Sequence, residues 1–282
     1  MKKIIILLVI YIINLHALTI NSNEVKNANT LLITLDEKNI SNPKLTFEKK
    51  NIDFFKHPKK EGYYALIPIS YYKKRKEYRI IVSYTKNGEK IFKGKTFKVI
   101  DGKYKSEIIN VAKGKVSLSK KNKKRTKKEY AKAMKVYGTT TPEIKTNGEY
   151  IKPLNTKITS SFGKKRVYNG LISSYHSGTD YKAAVGTPIK AVNDGIVAIS
   201  EDRFYAGNSL VLNHGQGIFS CYFHLSKMNF KVGEKIKKGD IIGLSGSTGR
   251  VTGPHLHFAF KVHQVTVDPL QLIQLLNEEE IY

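Results

Sequence analysis

Between Lys113 and Lys135, eleven of twenty-three positions are Lys or Arg and a single one, Glu129, is acidic. No core can bury that density of like charge, so the segment divides the chain into two parts. Both flanks are written in short runs of β-branched and aromatic residues. From Leu18 to about Tyr104 these runs occupy 31–35, 44–47, 63–69, 78–84 and 91–100, the spacing of a small β-sandwich or immunoglobulin-like module. Asn87-Gly88 joins the last two as a hairpin, because both residues tolerate the positive φ that such a turn requires. A second β-rich region runs from about 149 to 276. The chain therefore reads as mainly β: a β-rich N-terminal domain over 18–104, a basic linker with a short helix over 105–148, a second domain over 149–276 and a tail at 277–282. Its 282 residues, 40% of them hydrophobic, are enough for two modest cores. Inside the basic segment, Thr126 and Glu129 have capping-box spacing, Tyr130, Ala133, Met134 and Tyr137 come next at helical intervals, and Gly138 supplies a stop. The short helix is expected to dock on one domain, and the lysine-rich connection to let the two domains reorient.

Residues 1–17 have the form of a secretory leader: Lys2 and Lys3, the apolar run 4–13, then a small residue, Ala17, before the cleavage point. Ten apolar residues reach only about 15 Å as a helix, half of a roughly 30 Å hydrocarbon core, so export with removal is expected over membrane anchoring. The single cysteine, Cys221, excludes an internal disulfide framework even in an exported chain. It lies in the apolar run 218–223 and reads as a small buried hydrophobe.

The formal charge is +26, or +24 once Lys2 and Lys3 leave with the leader. That charge calls for an anionic partner, but lysine is spread over both halves with no helix-turn-helix or RNA-binding signature, so no nucleic acid is expected. For an exported chain the anions are those of the envelope, wall carboxylates or lipid phosphates, met through the Lys-rich segments.

Six of the eight histidines, His176, His214, His224, His255, His257 and His263, fall within the second domain. In His255-Leu256-His257-Phe258-Ala259-Phe260 a strand's alternation puts both histidines on one face and Leu256, Phe258 and Phe260 on the other, in the core. His176 and Asp180 flank Ser177 and Gly178, which favour a loop entering a strand. A catalytic zinc takes three nitrogen or oxygen ligands and leaves a fourth position open. His176, Asp180 and one of His255 and His257 meet that count, and spacing alone does not choose between the two. His224 and the remaining strand histidine would then move protons and stabilise an oxyanion. His57, beside Pro58, and His263, in a turn with Gln264, are expected to be solvated, while His214 is either a structural hydrogen-bonder or a substrate contact. Two similar stretches, 185–199 and 232–246, each read as strand, turn, strand and are expected to form consecutive hairpins.

The run from about 150 to 272 resembles the lysostaphin/LytM-type family of peptidoglycan endopeptidases. The resemblance is carried by Ser161-Phe-Gly-Lys-Lys-Arg166, His176-Ser-Gly-Thr-Asp180, Tyr222-Phe-His-Leu-Ser226 and the stretch from Gly246 to Phe258 ending in His-Leu-His-Phe. It implies an antiparallel β domain with zinc at the floor of a groove, His176, Asp180 and His257 as ligands, and His224 and His255 as the catalytic pair. It further implies hydrolysis of peptidoglycan crosslinks, the D-Ala–diaminopimelate bond over a glycine bridge, in wall remodelling and cell shape. The chain's form resembles Gram-negative periplasmic members. The alternative is a catalytically inactive scaffold that activates a cell-wall amidase, as in relatives that have lost zinc ligands; here every ligand position is filled. Ala259 stands where many relatives carry an acid.

Overall fold

A computed structural model of the chain describes residues 17–109, 117–168, 170 and 172–282. The expected leader lies outside these residues except for Ala17. Among the described residues no helix is long and apolar enough to cross a membrane.

The N-terminal half forms two facing sheets. One orders the strands Leu18–Ile20, Thr30–Leu35, Tyr63–Pro68 and Phe55–Lys56; the other orders Glu24–Lys26, Glu89–Ile100, Glu77–Lys86, Ile40–Phe47 and Lys50–Asp53. Period-2 patterning explains the arrangement: Tyr78, Ile80, Val82 and Tyr84 are buried while Glu77, Arg79 and Ile81 between them are exposed. The buried set meets Leu31, Ile33 and Leu35 of the opposite sheet in one apolar cluster. Asn87 and Gly88 turn the long hairpin with φ of 52° and 83°, as expected.

The second half is built on a ten-stranded sheet. Its main path runs Ile158–Ser160, Thr179–Lys182, His255–Val262, Ile218–Met228, Gly207–Asn213, Gly195–Arg203 and Lys235–Ile236, every neighbouring pair antiparallel. Leu256, Phe258 and Phe260 are fully buried on one face and join Leu210, Leu212 and Tyr222. Burial of each such side chain stabilises the fold by about 1.5–3 kcal/mol. A helix, Pro269–Glu278, covers that face with Leu272, Leu275 and Leu276. Asp268 caps it, accepting from Leu270 N–H at 2.9 Å, and Pro269 opens it. The six-residue tail is no loose end, since Ile281 is buried in the same cluster.

The stretches 185–199 and 232–246 depart from expectation. They do not close as separate hairpins but pair with each other, Pro188–Lys190 against Ile241–Ser245 and Gly195–Arg203 against Lys235–Ile236. The corner of one is held by the backbone of the other: Ala191 N–H donates to the Asp240 carbonyl, and Lys238 N–H to the Asp194 carboxylate.

The basic segment is a helix from Lys120 to Tyr137, beginning upstream of the expected capping box. Ser119 is the N-cap, accepting from Asn122 N–H at 3.2 Å. Thr126 sits inside the helix and donates to the Lys123 carbonyl, and Glu129 instead receives Arg125 and the Phe204 N–H. Lysines are good helix formers, so the run extends the helix upstream. Ala133 and Tyr137 dock it on Ile199, Val211, Phe219, Cys221 and Ala259, on the sheet face opposite the main core. Cys221 is buried there, as expected.

The two halves do not hang from a flexible hinge. Leu32, Phe55, Tyr64 and Leu66 of the N-terminal half belong to the same apolar cluster as Tyr150, Tyr181 and Leu272. The Gln271 side chain bonds both backbone groups of Thr30, at 2.9 and 3.1 Å, and the Tyr64 hydroxyl donates to Gln216. Reorientation would expose this apolar surface to water, which is why the lysine-rich connection does not by itself free the domains.

Candidate metal centre

His257 stands on the strand His255–Val262 directly opposite Asp180 of Thr179–Lys182. His176 opens the three-residue loop, 176–178, that leads from the strand Ile172–Tyr175 into the Asp180 strand, and its side chain converges with those of Asp180 and His257. Their ligand atoms all lie within 4.8 Å of one another. His176 Nε2 and His257 Nδ1 are each 2.9 Å from Asp180 Oδ1 and 3.1 Å from one another. All three residues are buried.

The donor set fits a divalent metal. His176 Nδ1 lies 2.8 Å from the Ser161 carbonyl, which can only accept, so Nδ1 carries a proton and Nε2 is the nitrogen turned to the cluster. That Nε2 lies 2.9 Å from a carboxylate oxygen, close enough for one cation to be shared by both. Burial pushes His257 down to about 4, so a second proton on that ring is disfavoured near neutrality. Burial alone would raise the Asp180 carboxyl, but the His176 and His257 imidazoles beside it outweigh burial and hold the group far below the usual carboxylate range. Two imidazoles and one carboxylate form a ligand set of the type that holds catalytic zinc.

A chain of charges backs the carboxylate. Arg166 Nη2 donates to Asp180 Oδ2 at 3.1 Å while its Nε donates to Glu107 Oε1 at 2.7 Å, and Lys164 donates to Glu107 Oε2 at 3.0 Å. Glu107 lies on the strand Ser106–Ile109, which pairs in parallel with Lys165–Tyr168. The segment read from sequence as linker therefore reaches the layer behind the metal ligands. Gly178 belongs to the same packing: a Cβ there would fall 2.5 Å from both His257 Nε2 and the Phe258 carbonyl oxygen.

His224 reaches the site by a β-bulge. Tyr222 pairs with Leu210 and Leu225 with Asn208, so Phe223 and His224 together oppose Ser209 alone. His224 takes φ of 64°, a left-handed conformation uncommon for a non-glycine residue. With alternation broken, Phe223 stacks on His257 at 5.6 Å and the His224 ring approaches His255 at 4.9 Å. His224 Nδ1–H donates to the Thr248 carbonyl at 2.8 Å, which leaves Nε2 as an acceptor. Burial, reinforced by His257 and His255, pushes it down to about 3, so the ring is neutral. His255 Nδ1–H donates to the Gly253 carbonyl at 2.8 Å, and its Nε2 is 3.6 Å from Asp180 Oδ1.

All five expected site residues thus meet in one place. The other histidines do not. His214 is fully buried between the Asp194 carbonyl and Ser220, each at 2.7 Å, which makes it a structural hydrogen-bonder. His57 is half-buried rather than solvated: its Nδ1 accepts from Lys59 and Lys60 N–H, and its Nε2 donates to the Glu279 carbonyl. His263 occupies the expected turn, but packing against Gly217 leaves its Nε2 buried without a hydrogen-bond partner. Sequence reasoning missed what Arg166 and Glu107 do: Arg166 enters it only through the family-like run 161–166, and Glu107 stands in no motif.

The model of the family described as Peptidase family M23 matches residues 174–269. The peptidoglycan DD-endopeptidase ShyA of Vibrio cholerae is 40% identical over 122 residues, 42% of this chain and 28% of that protein. The DD-carboxypeptidase/endopeptidase Mpg of Neisseria meningitidis is 35% identical over 128 residues, 44% of this chain and 29% of that one. The chain thus spans under a third of these relatives' lengths. A crystal structure from Pseudomonas aeruginosa, assigned to peptidase M23, superposes with a TM-score of 0.68 at 26% identity, over 88% of this chain and 94% of that one. His176, Asp180 and His257 all lie within the residues 174–269 that the model of peptidase family M23 matches.

Proposed function

We propose that the chain is a zinc-dependent endopeptidase that hydrolyses peptide crosslinks of bacterial peptidoglycan at the D-Ala–diaminopimelate bond. The observation that carries the reading is the convergence of His176, Asp180 and His257 beside two further histidines whose Nδ1 protons are both committed to carbonyls. When bound, zinc supplies Lewis acidity at the scissile carbonyl and eases deprotonation of water. His176, Asp180 and His257 hold it, with Arg166 fixing the second carboxylate oxygen. His224, neutral and with Nε2 open, accepts a proton from the attacking water. His255, with Nδ1–H held by the Gly253 carbonyl, donates through Nε2 to the oxyanion that forms at the carbonyl only in its doubly protonated form. The leaving amine takes its proton from these imidazoles.

The leader-like residues 1–17 support export to the periplasm, where the substrate lies, and the lysines support attraction to anionic envelope surfaces. The test is digestion of purified crosslinked peptidoglycan by the full chain, with released muropeptides identified by mass spectrometry. Conversion of crosslinked dimers to monomers is expected; cleavage at the glycan or at the sugar–peptide amide would contradict the reading.

A further inference from the structure

Lys261 is the last odd-numbered position of the strand that carries His255 and His257, so it faces the same side as they do. Four residues at about 3.3 Å each put its Cα about 13 Å from that of His257. Between the two lies a cavity of about 290 Å³ under the basic helix, lined among others by Tyr137, Arg203, Tyr205, His224, His257 and Lys261.

No Asp or Glu lines this cavity. Lys261 Nζ donates to the Thr266 hydroxyl and lies 5.1 Å over the Tyr137 ring, and the charge beside it is that of Arg203, of the same sign. The Nε of Arg203 is buried with no hydrogen-bond partner. The acids on the adjoining strand and helix pair with other cations: Glu201, two positions before Arg203, with Lys132, and Asp202 and Glu129 with Arg125. Two partly desolvated cations that repel each other cost free energy unless an anion pairs with them. A site of that sign, opening beside the residues proposed to cut a peptide, suits the anion a peptide carries.

We infer that this cavity is a subsite for a carboxylate of the peptide substrate, held by Lys261 and Arg203, and that it selects substrates bearing a free carboxylate near the scissile bond. The inference rests on the peptidase reading above. The carboxylate has two sources in a wall peptide, a chain end or an acidic side chain, and both present the same oxygens to a guanidinium and an ammonium.

The test uses the zinc-loaded full chain and three crosslinked peptide dimers: one with free carboxylates, one amidated at the chain end and one amidated at the side-chain carboxylate. Each is prepared with a cleavable amide and with an N-methylated one, so that binding is measured apart from turnover. Binding weaker by about tenfold is expected for one of the amidated forms, and which one identifies the source. Lys261→Met should bring the free-to-amidated ratio towards one, while Lys261→Arg should preserve it. Equal binding of all three dimers by the wild-type chain would overturn the inference whether or not the peptides are cut. Discrimination in binding with no cleavage of any dimer would count against the peptidase reading and leave the subsite standing.

Discussion

Arg166 Nη2 donates to Asp180 Oδ2 at 3.1 Å, so one oxygen of the carboxylate is fixed by a guanidinium while the other faces the two imidazoles. Partners of this kind orient a ligand, and their loss commonly costs about 10–100-fold in metal affinity. Arg166→Met is therefore expected to weaken zinc binding by about that factor in a chelator competition, and Glu107→Gln, one residue further out, by less. Unchanged affinity in Arg166→Met would remove Arg166 from the account.

Gly178 tests the packing behind His257. A methyl group there would lie 2.5 Å from both the imidazole Nε2 and a backbone oxygen that cannot move away cheaply. Gly178→Ala should displace the His257 ring and lower bound zinc well below one per chain, with a folded far-UV spectrum. Full zinc occupancy in this variant would show that the loop yields instead.

His214 separates structure from chemistry. Its ring joins the Asp194 carbonyl to Ser220 and is fully buried. Truncating it to Ala leaves the buried Asp194 carbonyl unpaired, takes from Ser220 one of its two partners, the other being the Tyr222 hydroxyl, and opens a void, together about 2–4 kcal/mol. His214→Ala is expected to lower the stability in denaturant by that amount while the folded fraction binds zinc as the wild type does. Loss of zinc at native stability would assign His214 to the metal site.

Acid should loosen the N-terminal sandwich at one carboxylate. Glu37 is lowered to about 2 by its hydrogen bonds from Lys86 and Lys93, at 2.6 and 2.8 Å, which exceed the opposing effect of burial. Because the folded pKa lies below the unfolded value of about 4.3, the stabilisation is present above a pH of about 4.3 and is lost as pH falls towards about 2. Both lysines are partly exposed, so the contribution is about 1–2 kcal/mol after screening. Glu37→Gln should flatten the stability–pH curve in that window; an unchanged slope would assign acid sensitivity elsewhere.

The parts of this molecule that local rules govern were legible in the sequence. Alternation in His255–Val262 put His255 and His257 on one face, and Asn87-Gly88 marked its hairpin, because strand period and turn chemistry act over a few residues. The ligand of the strand pair was not settled by spacing; register against Asp180 places His257 nearest, and register is a long-range property. The bulge that aims His224 and the exchange of partners between 185–199 and 232–246 were invisible for the same reason. The helix Pro269–Glu278 did leave a signal, Asp268-Pro269 ahead of Leu272, Leu275 and Leu276, hidden by the surrounding β pattern. Glu107 could not be found at all, since its role depends on a parallel strand pairing between segments far apart in the chain.

The most direct test is to titrate the metal-free full chain with zinc and follow peptidoglycan cleavage in the same samples, for wild type and Asp180→Asn. Wild type should bind one zinc per chain, gain activity in proportion and lose it to chelator, while Asp180→Asn, missing the charge that offsets the metal, should show neither binding nor cleavage at matched concentrations. Cleavage that persists in chelator, or full zinc binding by Asp180→Asn, would contradict the account.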